Sequence, residues 1–173
     1  RLVFALSSYP PSLRPWANTG TAAATVKLQT QRGLLGYDHK GELRGEIAES
    51  WSREGPTDWV LKLRDGARFQ DGEAITPDAV RASFAMMTDE KSSAYFRTRA
   101  VALIDKIDAP DARTVRFVMK QPSVTWPMLL ASPHMPIISP KSTEAAPVGA
   151  GPYRITGQER GTSIDLEAYA GYY

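Results

Sequence analysis

Toward its C-terminal end the chain reads PVGAGPYRI, Pro147 to Ile155, with two glycines and two prolines inside six residues. A glycine cluster of this kind can cradle a phosphate, mark a hinge, or turn the chain. A Walker-type phosphate loop needs a Lys and then Ser or Thr after its last glycine. Here Gly151 is followed by Pro152 and Tyr153. A dinucleotide fingerprint needs a third glycine three residues after the second, opening a helix. Arg154 stands there, and the residues after it read as strand. Pro152 has no N–H to offer an anion. The phosphate reading fails.

Other candidate chemistry is sparse. His39 and His134 lie far apart, without carboxylate or histidine neighbours at ligand spacing, so they build no metal site. His39 belongs to an exposed turn; His134 sits between prolines in a stiff loop, either solvated or displayed to a ligand. The acids around Asp65-Gly66 and Asp71-Gly72 lack the alternating oxygen ligands and closing Glu of a calcium loop, and form turns instead. Ser7 and Ser8 have no legible base and no nucleophile elbow; they shape a loop or touch a ligand. The aromatics Tyr9, Trp16, Tyr95, Phe96 and Trp126 either fill a core or line a pocket that grips an organic ligand.

The elements that must position these residues mix helix and strand without a βαβ rhythm. LVFAL (Leu2–Leu6) reads as a short central strand buried on both faces, followed by SSYPPSLRPW, stiffened by three prolines. TAAATVKLQTQRG predicts a helix capped by Thr21, with Gly33 as a left-handed C-terminal cap. LLGYDHKGEL predicts a strand and a turn at Asp38–Gly41. DWVLKLR and TVRFVMK alternate as half-buried strands. ITPDAVRASFAMM carries Thr76 as N-cap, Pro77 at the first helical position and an apolar stripe at Val80, Phe84 and Met87. A second helix is expected over Tyr95–Ile104, a turn at Asp108–Asp111, and a short helix near Val124–Ala131. PYRIT and TSIDLEAY form a hairpin across GQERG, with Ile164 and Leu166 inward.

With 173 residues the chain can bury a core as one domain or a small two-part unit. Its net charge of +2 is spread among interleaved acids and bases, so no basic stripe suits nucleic acid. The absence of cysteine excludes disulfide and thiolate chemistry and fits an oxidising compartment. The most apolar stretch, VTWPMLLASPHMPII, is cut by Pro127, Pro133 and Pro136, so no membrane span is expected. Arg1 leads straight into LVFAL without an export signal, and the abrupt end at Tyr172-Tyr173 raises the expectation of a longer natural chain.

Read as an ordered series, GELRGEIAESW, DWVLKLRDGARFQDGEAITPDAV, TVRFVMKQP, PVGAGPYRI and EAYAGYY resemble the bacterial extracellular solute-binding proteins of family 5. These are the dipeptide-, oligopeptide- and nickel-binding receptors of ABC importers. The most specific part is FQDGEAITPDAV, and the resemblance spans the whole chain. Ala150 stands where the family usually carries Thr or Ser between its two glycines.

The resemblance implies a mixed α/β (α+β) chain within a two-lobe periplasmic-binding-protein fold of the dipeptide-binding kind. Residues 1–36 would start the first lobe, 37–146 would form a small accessory domain, and 147–173 would return to the first lobe, with the second lobe absent. Gly149, Gly151, Pro152 and Tyr153 would then mark the return. Ligand-facing positions would be Ser7, Ser8, Tyr9, Asn18, Thr19, Thr21, Tyr95, Phe96 and His134. The implied partners are a small peptide or similar solute and the membrane permease, with no cofactor, no metal and no nucleic acid. The implied location is the periplasm, or the outer face of the cytoplasmic membrane through a lipid anchor. Half a cleft cannot close, so the chain alone is expected to bind no solute usefully. The alternative is a sensor module of the same fold fused to a transcriptional regulator. A hydrolase using Ser7 or Ser8 ranks third, because no base or oxyanion arrangement is legible.

Overall fold

The computed structural model describes residues 3–143 and 146–173. Its centre is a four-stranded antiparallel sheet of order β3-β4-β6-β5, built from β3 (Ala48–Glu54), β4 (Asp58–Leu63), β5 (Ile104–Asp111) and β6 (Thr114–Met119). The alternation in β4 and β6 sets the register. Leu61 faces Val115 and Trp59 faces Phe117, so one face of the sheet carries Leu61, Leu63, Val115, Phe117 and Met119 into the core.

Helix α2 (Pro77–Thr88) covers that face. The Thr76 side chain accepts from the Ala79 N–H at 3.2 Å, Pro77 occupies the first turn, and Val80, Phe84 and Met87 are buried. Phe84, Phe117 and Trp126 form an edge-packed aromatic cluster, with Phe84 to Phe117 at 5.1 Å and Phe117 to Trp126 at 5.3 Å. Trp126 opens α4 (Trp126–Leu130). Two hairpins flank this body: β1 (Leu35–Tyr37) with β2 (Leu43–Gly45), and β7 (Tyr153–Glu159) with β8 (Ser163–Ala168). One apolar core runs from Trp16 through the sheet to Ala150.

The structure departs from the sequence expectations in several places. In the last hairpin β7 runs on to Glu159, and the turn falls at residues 160–162 instead of across GQERG. Val3–Leu6 form no strand, and Val3 is 76% exposed; Leu2 lies outside the described residues. An apolar run becomes a buried strand only where neighbouring strands take its backbone hydrogen bonds, and none among the described residues does so. Helix α1 (Thr21–Thr30) starts one residue after Gly20, which occupies the cap position at φ 97°, so Thr21 is the first helical residue and not the cap. The helix ends at Thr30, because Gln31 is already extended and Arg32 bridges to Ile137. Gly33 is not left-handed; a Cβ there would lie 2.6 Å from the Leu130 carbonyl oxygen. Asp108–Asp111 continue β5 through an irregular register, and the turn falls at Ala112-Arg113. Finally, the second helix is shorter than expected, α3 covering Arg97–Leu103 before Ile104 opens β5.

Candidate functional site

Three of the expected ligand-facing side chains come together. Tyr95 and Phe96, just before α3, stand edge to face at 4.8 Å. His134, from the loop after α4, meets Tyr95 at 5.5 Å and Phe96 at 6.3 Å. The Tyr95 N–H donates to the Trp16 carbonyl at 3.0 Å, which pins the wall to the proline-rich segment. Trp16 itself is core: it is 3% exposed, and its indole N–H donates to the Pro136 carbonyl at 3.1 Å. Trp126 is core as well.

The ring of His134 is half-buried, and its Nδ1 is buried without a hydrogen-bond partner. Burial and then the nearby Lys27 charge push its pKa below the ordinary 6.5, against a smaller opposing contribution from the Ala17 backbone. At neutral pH the wall therefore presents two aromatic rings and an uncharged imidazole. Tyr95 is 57% exposed, so the wall is open to a visiting molecule.

The remaining expected positions are more dispersed. Asn18 is exposed and its Oδ1 accepts from the Gly20 N–H at 3.4 Å; the Thr19 hydroxyl is committed to the Ser12 carbonyl at 2.8 Å. Thr21 is exposed at the start of α1. Ser7 and Ser8 are exposed, while Tyr9 lines a separate cleft of about 780 Å³. Leu13, Arg14, Gln31, Gln70, Val148 and Arg154 contribute to that cleft, and the aromatic wall does not.

The glycine cluster has a structural explanation. A Cβ on Gly149 would sit 2.3 Å from the Thr30 carbonyl oxygen, and one on Gly151 would sit 2.4 Å from the Gln29 carbonyl oxygen. The backbone after Pro147 therefore runs against the end of α1 at a spacing that any side chain would block. Gln70 seals the junction: its side-chain N–H groups donate to the carbonyls of Thr30, Gly151 and Tyr153 at 3.2, 3.0 and 2.6 Å. Pro152 and Tyr153 then lead into β7.

Sequence reasoning missed two residues of this region, Gln70 and Lys27. Nothing local marks Gln70, whose partners lie between 40 and 83 residues away. Lys27 did carry a signal. Ala23, Val26 and Thr30 define a buried stripe on α1, and Lys27 lies on it by helical spacing.

Comparison with known proteins agrees with the fold. The family model described as bacterial extracellular solute-binding proteins, family 5 Middle, matches residues 42–173. The glutathione-binding protein GsiB of Escherichia coli K12 is 31% identical over 181 residues, covering 99% of this chain and 35% of GsiB. The binding protein AgaA of A. tumefaciens R10, solved with agropinic acid, superposes with a TM-score of 0.89 at 35% identity, covering 96% of this chain and 35% of AgaA. The murein tripeptide binding protein MppA of Escherichia coli shares the fold alone, with a TM-score of 0.85 at 20% identity over 96% of this chain and 38% of MppA. The chain thus spans about a third of the length of these relatives. No helix among the described residues is long and apolar enough to cross a membrane. With three quarters of its residues under that family model and a periplasmic-binding-protein fold throughout, the chain belongs to the bacterial extracellular solute-binding proteins of family 5.

Proposed function

We propose that this chain is part of the solute-binding receptor of an ABC import system, taking up small peptides or a solute of similar chemistry. The observation that carries the reading is the wall of Tyr95, Phe96 and His134 docked on Trp16 and Ala17. Aromatic rings accept an apolar or aromatic side chain. A neutral imidazole offers a hydrogen bond to a peptide group without a charge that would fix one side-chain type. Residues 1–36 and 147–173 would belong to the first lobe, with 37–146 as an accessory body. Gly149, Gly151, Pro152 and Tyr153 would then bring the chain back against α1.

The receptor works without catalysis. Solute stabilises a closed arrangement of two lobes, and closure is what the permease recognises at the outer face of the membrane. Calorimetry with glutathione and defined di-, tri- and tetrapeptides tests the reading, on the whole receptor and on the 173-residue chain in parallel. Saturable binding to the whole receptor and none to the chain alone is the expected result. A whole receptor that binds none of them overturns the peptide assignment, and saturable binding to the chain alone overturns the requirement for a second lobe.

A further inference from the structure

Lys27 is out of character for its place. It sits on the buried face of α1 at 1% exposure, where a leucine would fill the same space without desolvating a charge. Its Nζ reaches the carbonyls of Arg14, Pro15 and Ala17 at 3.4, 3.3 and 2.6 Å. One nitrogen thus draws three carbonyls from four consecutive residues around itself and folds that segment over the helix. An apolar side chain could not do this.

The held segment is the one that builds the aromatic wall. The Trp16 carbonyl takes the Tyr95 N–H, the Trp16 indole reaches Pro136 two residues beyond His134, and the Ala17 backbone faces the His134 ring. Each side of the wall is therefore one contact from a residue that Lys27 tethers or that lies between two it tethers.

We propose that Lys27 is the positioning residue of this wall, fixing the 14–17 segment so that Tyr95 and His134 stand in one arrangement. The proposal rests on the wall being solute-facing, but its test does not. The ionisable side chain facing Lys27 from the loop after α4 is His134; the charged residue of the tethered segment is Arg14, which lends its carbonyl. Burial lowers the Lys27 pKa from 10.5 to about 8. Opening the segment returns the amine to water and restores its higher proton affinity, so opening takes up a proton and is suppressed as pH rises above about 8.

Amide hydrogen exchange at Tyr95, corrected for intrinsic base catalysis and referenced to Leu61 in the central sheet, reads the tether directly in the wild-type chain, K27M and K27R. In the wild type, Tyr95 protection should rise on the order of tenfold between about pH 7.5 and 9.5. K27M, which cannot donate, should lose protection by about tenfold and show no such slope. K27R keeps its donors and a permanent charge, so it should retain protection without the slope. The His134 imidazole should titrate higher in K27M, because a neighbouring cation is gone.

A flat wild-type profile, or K27M matching the wild type in both protection and His134 titration, would overturn the proposal. Should K27M fail to fold, the wild-type slope and K27R still decide. Glutathione binding by the whole receptor is read in parallel. Positioning without solute binding counts against the solute-facing wall alone; solute binding with an unchanged wall in K27M counts against Lys27 alone.

Discussion

The Gly151 N–H donates to the Thr30 carbonyl at 3.2 Å, and a Cβ on Gly151 would meet the Gln29 oxygen at 2.4 Å, the Thr30 carbonyl carbon at 2.4 Å and the Gln31 nitrogen at 2.7 Å. Every obstructing atom is backbone, so no rotamer change makes room. Gly151→Ala should therefore destabilise the chain by about 2 kcal/mol through forced displacement of the end of α1. Gly161→Ala is the control. Its site is open, its φ is 85°, and its cost should be only the strain of a left-handed alanine, about 1 kcal/mol. Urea midpoints of the two variants at equal slope decide the order.

Gln70 joins three carbonyls from two distant segments, yet they do not depend on it equally. The Thr30 carbonyl keeps the Gly151 N–H if Gln70 is replaced, and the Tyr153 contact is exposed. The buried Gly151 carbonyl is the one left poorer. Gln70→Leu should thus cost about 1–2 kcal/mol, the range for one stranded buried acceptor. Equilibrium urea unfolding of the variant checks it. Increased exchange at the Gly151 amide would show that the loss is felt at the junction.

Lys27 also links global stability to pH. Its folded-state pKa of about 8 lies below the ordinary 10.5, so between these values the unfolded chain holds the extra proton. Stability should rise with pH across that window, and the charged amine should cost the fold most below pH 8. The clean range ends near pH 10. Above it Tyr173, whose phenol burial pushes up past its ordinary 10.0, acts in the opposite sense, because only the unfolded chain then ionises. Urea unfolding at intervals between pH 7 and 10 should show a rising trend that K27M lacks.

Tyr95 separates binding from folding. It is 57% exposed and meets the rings of Phe96 and His134 in T-shaped contacts, so Tyr95→Ala should change stability by less than about 1 kcal/mol. If the wall receives solute, the same change should weaken glutathione or peptide binding to the whole receptor by about tenfold. Calorimetry beside thermal unfolding checks both halves. An affinity unchanged by the substitution would move the solute away from this wall.

The sequence alone determined the elements whose causes are local. The cap at Thr76 with Pro77, the stripe of Val80, Phe84 and Met87, the alternation of β4 and β6, and the turns at Asp65-Gly66 and Asp71-Gly72 are all as read. In each case one turn or one pleat of chain holds the whole cause. The ordered motifs also carried the family, whereas the meeting of Tyr95 and Phe96 with His134 came only from the fold.

Tertiary structure decided where segments distant in sequence meet. Strand β3 was missed because the polar spacing of Ala48–Glu54, with Trp51 only partly buried, becomes strand through pairing with β4. Val3–Leu6 show the converse, an apolar run with no partner among the described residues. Gly33, Gly149 and Gly151 look like turn residues in sequence, yet their absent side chains matter because another backbone passes within 2.6 Å of where a Cβ would stand. Lys27 is polar by type and buried by circumstance, since only the folded 14–17 segment supplies carbonyls that make the site tolerable. Backbone pairing, close approach and the satisfaction of a buried charge each need two partners, and a pattern read along one stretch contains only one of them.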